Sequence, residues 1–338
     1  MELGKLPMLP ETLQSTSREL ADVYRPIRED LALSERVFDD ELASAIAFVN
    51  ELCVYVRCYR GKMLRPAMLL LSARAAGESR PAHRTLAAVV EMVHMATLVH
   101  DDVLDGADER RKQPTIQSMS GNVTAVLLGD YLISHAFHLC SDLDSQYASR
   151  RIGAATNCVC EGELMQNRHR GNLELTESEY LEIIRRKTGA LTAVACELGA
   201  HFGGADDETV QALHAYGSSA GIAFQIMDDV LDVIGDERMM GKSLHLDLSL
   251  GKLTLPVIHC VGCGDAATAA EIRALYREPA ANRRRLRGLL QRTDSIDYAV
   301  SVARQYVDQS VARLNILSAS SAKDSLVRLA EFIVQRQT

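Results

Sequence analysis

Two stretches of this 338-residue chain, Leu86 to Val103 and Ala220 to Ile234, are apolar nearly all round the helical period, yet each carries a tight group of carboxylates. A helix with no polar face belongs in an interior. Ionised acids, by contrast, are almost never fully buried unless paired or bound to metal. The first group reads His100-Asp101-Asp102-Val103-Leu104-Asp105 and the second Met227-Asp228-Asp229-Val230-Leu231-Asp232. Residues four apart share a helix face, so Asp101 aligns with Asp105 and Asp228 with Asp232. A hard divalent cation resolves the conflict: Mg²⁺ takes oxygen ligands, keeps several waters, and typically uses one or two carboxylates plus phosphate oxygens. Two such helices face to face would clamp a diphosphate through shared ions. A single D-D-x-x-D reads equally well as a solvated acidic patch, but two copies on apolar helices favour the metal. The alternating acids and central Gly of an EF-hand loop are missing.

The rest of the chain reads as helix. Aromatic residues make up 5% and Trp is absent, and no run of β-branched alternation stands out. Ala, Leu, Met, Glu and Arg recur with apolar residues three and four apart. Breaks are expected at 77–81, 106–114, 170–175, 203–207, 241–256 and 262–265, where Gly, Pro and Asp cluster. Thr176 with Glu179 fits a capping box and Leu175 with Tyr180 a hydrophobic staple, so a helix is expected from Glu177 towards Gly199. The fold class is all-α, a bundle of many helices. With no linker, low-complexity tract or solenoid repeat, residues 1–338 read as a single domain.

A hydrophobic fraction of 47% is ample for a large core, and a net charge of -8 excludes a basic nucleic-acid footprint. Anionic ligands must therefore be held by local cations or metal. The N-terminal stretch lacks the apolar run of a signal peptide, and the eight cysteines are scattered; a reducing, cytoplasmic setting is expected. Cys260 and Cys263 form one C-x-x-C without a second pair, which reads as ordinary core or surface cysteine rather than a zinc site.

Local cations lie near both acidic groups. Gly61-Lys62-Met63-Leu64-Arg65-Pro66 places Lys62 and Arg65 at the start of an apolar helical run, where Arg can hold phosphate bidentately and Lys as a point charge. Glu109-Arg110-Arg111-Lys112-Gln113-Pro114-Thr115 follows the first acidic group directly. Alone it would be a solvated charge run; beside metal-binding acids it reads as the other half of a diphosphate site. His94 lies on the stripe of Asp101, and Gln225 on that of Asp228 and Asp232. Lys187 and Thr188 interrupt a helical segment, and Lys242 and Lys252 flank a loop after the second group. Singly, these residues mean little.

Taken in order, GKMLRP (61–66), EMVHMATLVHDDVLD (91–105), ERRKQPT (109–115), EGELMQ (161–166), RKTGAL (186–191), FQIMDDVLDV (224–233) and GKLTLP (251–256) form a specific series. The chain resembles the trans-isoprenyl diphosphate synthases, the polyprenyl synthetase family, and within it the medium- and long-chain bacterial branch. The resemblance implies an isoprenoid synthase fold, one large helical bundle around a deep central cavity, usually as a homodimer. It implies that Lys62, Arg65, His94 and Arg111 hold the diphosphate of isopentenyl diphosphate. Asp101 and Asp105 would carry the Mg²⁺ ions that grip the allylic diphosphate, supported by Asp102 and contacted by Arg110. Lys187, Thr188 and Gln225 would line the allylic site. Asp228 would bind a third metal ion with Asp229 and Asp232 alongside, while Lys242 and Lys252 close over the leaving group. The family usually has Gly at Arg60, Arg at Met63 and Gly at Lys112, and a Gly-Asp-Asp type of loop where His245-Leu246-Asp247 stands here.

The implied chemistry is ionisation of an allylic diphosphate, farnesyl diphosphate being the expected primer, followed by alkylation of isopentenyl diphosphate. Neither Ala96 nor Thr97, just before the first acidic group, is bulky enough to make the floor that stops growth early in this family. An octaprenyl-type product for a quinone tail is expected, with peripheral membrane contact for its release; Val93, Tyr131 or Phe137 could set a floor deeper down. A shorter-chain farnesyl or geranylgeranyl synthase, or a non-catalytic partner subunit of a heteromeric synthase, are the alternatives. A terpene cyclase would replace the second acidic group by a mixed Asn/Ser/Glu pattern.

Overall fold

The computed structural model describes residues 19–234, 250–275 and 283–335. These are almost entirely helical. The helices are α1 (Arg28–Glu41), α2 (Ala47–Val56), α3 (Leu64–Ala76), α4 (Pro81–Asp105), α5 (Ile116–Ser141), α6 (Gln146–Arg168), α7 (Glu177–Ile184), α8 (Ala190–Gly203), α9 (Asp207–Ile234), α10 (Leu255–Cys263), α11 (Ala266–Leu275), α12 (Arg283–Arg292), α13 (Ser295–Arg313) and α14 (Ser321–Gln335). The strands among the described residues are a two-residue pair, β1 (Glu109–Arg110) and β2 (Gln113–Pro114), with Arg110 opposite Gln113.

Local chemistry sets the boundaries. Pro81 opens α4 at its first turn, where a missing N–H costs nothing. Gly106, at φ +61°, ends it immediately after Asp105, and the Ala107 N–H returns to the Asp102 carbonyl at 2.9 Å. Thr176 and Glu179 form the expected capping box, and Leu175 and Tyr180 are both buried at that corner. The helix expected from Glu177 is not uniform: Arg185–Gly189 form a π turn between α7 and α8, and the helical path runs on to Gly203. One wide turn inside a helix rotates everything after it, and such turns recur at functional sites.

The two stretches nominated as interior helices are interior in the fold. From Leu86 to Val93 along α4 every residue is buried. The most enclosed helix is nonetheless α8, buried from Leu191 to Ala200 and packed against α3, α4, α6 and α9. Helix α9 lies against α8 closely enough that a Cβ on Gly217 would stand 2.4 Å from the Thr192 carbonyl oxygen. The acid inside α8, Glu197, accepts from the Tyr147 hydroxyl at 2.5 Å and His214 Nδ1 at 2.7 Å, and pairs with Arg151. Helices α4, α8 and α9 thereby bring the chain's two acidic groups to one end of the bundle.

Candidate active site

The three acids of the first group lie in the last turn of α4, where the helix dipole disfavours negative charge. Each meets a cation from another part of the chain. Asp105 accepts from Lys252 Nζ at 2.7 Å on one oxygen and from Arg170 at 3.0 Å on the other. Asp101 lies 3.7 Å from Lys187 Nζ. Asp102 turns inward, 1% exposed, and takes both Nε and NH2 of Arg110 on Oδ1, at 2.9 and 2.8 Å. Among the described residues its buried Oδ2 has no hydrogen-bond partner. Burial pushes the Asp101 carboxyl above the usual carboxylate range, helped by Glu163 and Asp105 and opposed by Lys187 and Lys252. Burial alone would lower the Lys187 ammonium, but Asp101, Glu163 and Asp105 raise it and keep it charged.

Across from these acids stands the end of α9. Asp229 accepts from the Tyr180 hydroxyl at 2.6 Å and from Gln225 Nε2 at 2.7 Å, and Thr188 donates to Gln225 Oε1 at 2.8 Å. The π turn makes this possible, because it presents Lys187 and Thr188 together to the same space. Lys187 also reaches Glu163 and, at 3.0 Å, Gln166 on α6. Gln166, Lys187, Gln225, Asp229 and Lys252 line one pocket of about 50 Å³. Asp232 is buried and Asp228 half-buried.

A second group of charges surrounds His94. Burial, then Arg65, Arg110 and Arg111, push its imidazole well below its ordinary pKa, so it is neutral. Arg65 is itself lowered by burial and feels both Glu91 and Asp228, which ties this basic group to the second acidic one. Its buried Nε has no hydrogen-bond partner among the described residues. Glu91, 2% exposed, is raised by burial to about 7 despite Arg65, Arg60 and Arg111. Arg111 donates to the Arg60 carbonyl. Lys62 is exposed, its ammonium 5.3 Å from the Phe332 ring centre.

Residues 47–292 match the polyprenyl synthetase family. The chain belongs to the polyprenyl synthetase family. It is 33% identical over 311 residues to the octaprenyl diphosphate synthase of Escherichia coli, covering 91% of this chain and 96% of that one. It is 35% identical over 321 residues to the geranyl-diphosphate-specific all-trans-nonaprenyl-diphosphate synthase of Rhodobacter capsulatus, covering 93% and 97%. Its fold superposes with a TM-score of 0.90 on the polyprenyl synthase of Caulobacter crescentus complexed with calcium and isoprenyl diphosphate, at 34% identity over 94% of this chain and 98% of that one. The protein is a prenyltransferase with the all-α fold of the isoprenyl synthases.

The structure groups Asp101, Asp105, Lys187 and Lys252 with Thr188, Gln225 and Asp229. It sets Arg65 and Arg111 around His94, while Lys62 is exposed over the Phe332 ring. Two further qualifications apply to this polyprenyl synthetase. Lys242, with His245-Leu246-Asp247, lies outside the described residues. Asp102 and Arg110 are held by each other rather than directed together at the pocket. The structure adds Glu163, Gln166, Arg170, Tyr180 and Glu91. Glu163 and Gln166 are three apart on α6 and so share a face, a signal the sequence carries. Glu91 similarly precedes His94 by three. Arg170 follows the end of α6 in a turn, and nothing in its neighbours marks it as a partner of Asp105. Tyr180 reads from the sequence only as a packing residue, yet its hydroxyl anchors Asp229.

Proposed function

We propose that this enzyme condenses isopentenyl diphosphate head to tail onto an allylic diphosphate in a Mg²⁺-dependent reaction, giving an all-trans chain of octaprenyl type. The observation that carries the reading is a pocket lined by Asp229, Lys187 and Lys252, whose two lysines pair with Asp101 and Asp105 of the first group, beside a group of arginines around a neutral histidine. The donor set fits a hard divalent ion: carboxylate oxygens at a helix C-terminus, partly desolvated, against which lysine ammonium groups now rest. Asp101 and Asp105 would hold Mg²⁺ from one side and Asp228 from the other. Bound there, Mg²⁺ would act as Lewis acid and charge clamp for the departing diphosphate.

The chain's own residues account for the remaining work. Lys187, Lys252 and Arg170 already neutralise the acids, and turn to the diphosphate's charge when it enters. Thr188 and Gln225 form a short polar wall for the allylic substrate; Asp229, locked by Tyr180 and Gln225, fixes the orientation of the second group. Arg65, Arg111 and Lys62 take the diphosphate of isopentenyl diphosphate, and Arg110 orients Asp102 while reaching towards the allylic one. Neutral His94 adds a hydrogen bond without another positive charge. The proton lost when the new bond forms passes to the released diphosphate, so no protein nucleophile is needed. Below the first acids, Ala96 is fully buried and small; fully buried Val93, Tyr131 packed against the core and Phe137, 36% exposed, are the candidates for a deeper stop.

A homodimer is part of this reading. Beyond a break at Gly121, where φ is +82°, helix α5 exposes Val123, Val126 and Leu127, with Val123 74% exposed, on its outer face. Among the described residues it is the one helix long and apolar enough to cross a membrane. A second copy covering that face would remove the apolar patch from water. Incubation with Mg²⁺, farnesyl diphosphate and labelled isopentenyl diphosphate, with products separated by length, tests the function. An elongated all-trans series ending near eight units is expected. Absence of elongation would overturn the reading, and termination at three or four units would favour the shorter-chain alternative.

A further inference from the structure

Far along α5 from the residues proposed to carry the chemistry, two imidazoles one helical turn apart meet a carboxylate from another helix. His135 Nδ1 lies 2.6 Å and His138 Nδ1 2.8 Å from the same oxygen, Oε1 of Glu41, the last residue of α1. One ligand atom from each of the three falls within 4.8 Å of the other two. Glu41 is 14% exposed and His135 24%, and Tyr131, one turn earlier, lies against the His135 ring at 4.3 Å between centres. Among the described residues no Lys or Arg pairs with Glu41; its ion-pair partners are the two imidazoles. Burial would raise the Glu41 carboxyl, but its contacts with His135 and His138 lower it, and Glu41 in turn raises the His138 imidazole, so the three groups act as one cluster. Two nitrogens and one carboxylate oxygen converging from two helices, with the His138 side open to solvent at 64% exposure, match the three-ligand, one-water pattern of a borderline divalent ion.

We propose that Glu41, His135 and His138 form a second metal site, separate from the aspartate groups, that takes Zn²⁺ or an ion of the same class. The two sites differ in chemistry. The aspartates offer only oxygen and suit Mg²⁺, whereas the imidazole pair disfavours Mg²⁺ and suits Zn²⁺ or Co²⁺. An ion bound here would clasp the end of α1 to α5, the helix that packs along α4 and so backs the first acidic group.

The test is metal binding by the full chain in millimolar Mg²⁺, which competes at the oxygen site. Zn²⁺ uptake is followed by equilibrium dialysis and Co²⁺ by the visible absorption of a tetrahedral, nitrogen-bound ion. The wild type should take up one equivalent and show a Zn²⁺-dependent rise in melting temperature. His138→Ala, at an exposed position, should weaken binding by at least about tenfold, and His135→Ala/His138→Ala by about 100-fold or more. Should the double variant not fold, His138→Ala and Glu41→Gln carry the test, since Gln keeps the hydrogen bonds and loses the anionic ligand. Mg²⁺-dependent prenyl transfer by the variants checks that they are folded. Equal Zn²⁺ affinity in wild type and His138→Ala, or no uptake by the wild type, overturns the site and leaves a hydrogen-bonded cluster only.

Discussion

The two aspartate groups share the pattern D-D-V-L-D and the same place at the end of a long apolar helix, yet the fold treats them differently. On α4 every acid is matched to a cation: Asp101 to Lys187, Asp102 to Arg110, Asp105 to Lys252 and Arg170. On α9, Asp229 is held by neutral donors, the Tyr180 hydroxyl and the Gln225 amide. Lysines can give way to metal ions as an anionic ligand enters, because the carboxylates keep a positive partner and the released ammonium groups pair with the ligand's charge. A hydroxyl and an amide fix a carboxylate in place without cancelling its charge. The first group is therefore built to trade partners, whereas Asp229 of the second is fixed in orientation by Tyr180 and Gln225.

Breaking the first group should have the largest effect. Asp101→Ala removes one of the two carboxylates proposed to hold Mg²⁺ on α4. Turnover should fall by about 10³-fold or more, taking the loss of a preorganised electrostatic group as the guide; activity within tenfold of wild type would mean that Asp101 holds no essential ion. Asp102→Asn probes a different property of the same helix turn. It leaves the half-buried Arg110 guanidinium facing a neutral amide, and breaking such a pair costs about 3 kcal/mol, read as a lower denaturation midpoint at unchanged slope. On α9, Tyr180→Phe removes one hydrogen bond to Asp229, worth about 1.5 kcal/mol for a charged acceptor. It should raise the KM for the allylic substrate more than it lowers stability. If Tyr180→Phe were as damaging as Asp101→Ala, the contrast between the two groups would fail.

His94 gives the smallest and most specific effect. Its pKa in the folded state lies well below 6.5 because of burial and the guanidiniums around it. Between that value and 6.5 the unfolded chain binds more protons than the folded one, so stability is lost as pH falls through this window. His83, also lowered by burial, adds to the same slope. His94→Gln should flatten the fall in melting temperature between about pH 7.5 and about pH 5.5 without abolishing it; an unchanged slope would show that His94 is not buried among those charges.

The sequence shows which residues carry the chemistry more clearly than which of them touch. Helical period and the capping box at Thr176 place α7, and the burial conflict singles out both acidic groups. Contacts between elements distant in the chain leave no such mark: Lys252 on Asp105 spans 147 positions, and Arg170 reaches the same acid from a turn. The π turn at Arg185–Gly189 is legible only as an interruption, since an extra residue in a helical turn leaves no compositional trace. The hairpin after α4 shows the reverse limit. Its central residues, Arg111 and Lys112, both have positive φ, 54° and 62°, as a type I′ turn requires. Neither side chain favours that conformation, which costs about 1 kcal/mol or more per residue. The turn is held instead by partners such as the Arg60 carbonyl, to which Arg111 donates.

The exchange of lysine for metal at the first group is tested most directly by calorimetric binding of farnesyl diphosphate with Mg²⁺ and with chelator, for wild type and Asp105→Ala. Wild type should bind at least about 100-fold more tightly with Mg²⁺, as expected when two or more metal–phosphate contacts are gained. Asp105→Ala should lose most of that difference while keeping its affinity in chelator, where Lys252 and Arg170 are released from the acid. Equal wild-type affinity with and without Mg²⁺ would contradict the metal assignment, and so would an undiminished Mg²⁺ effect in Asp105→Ala.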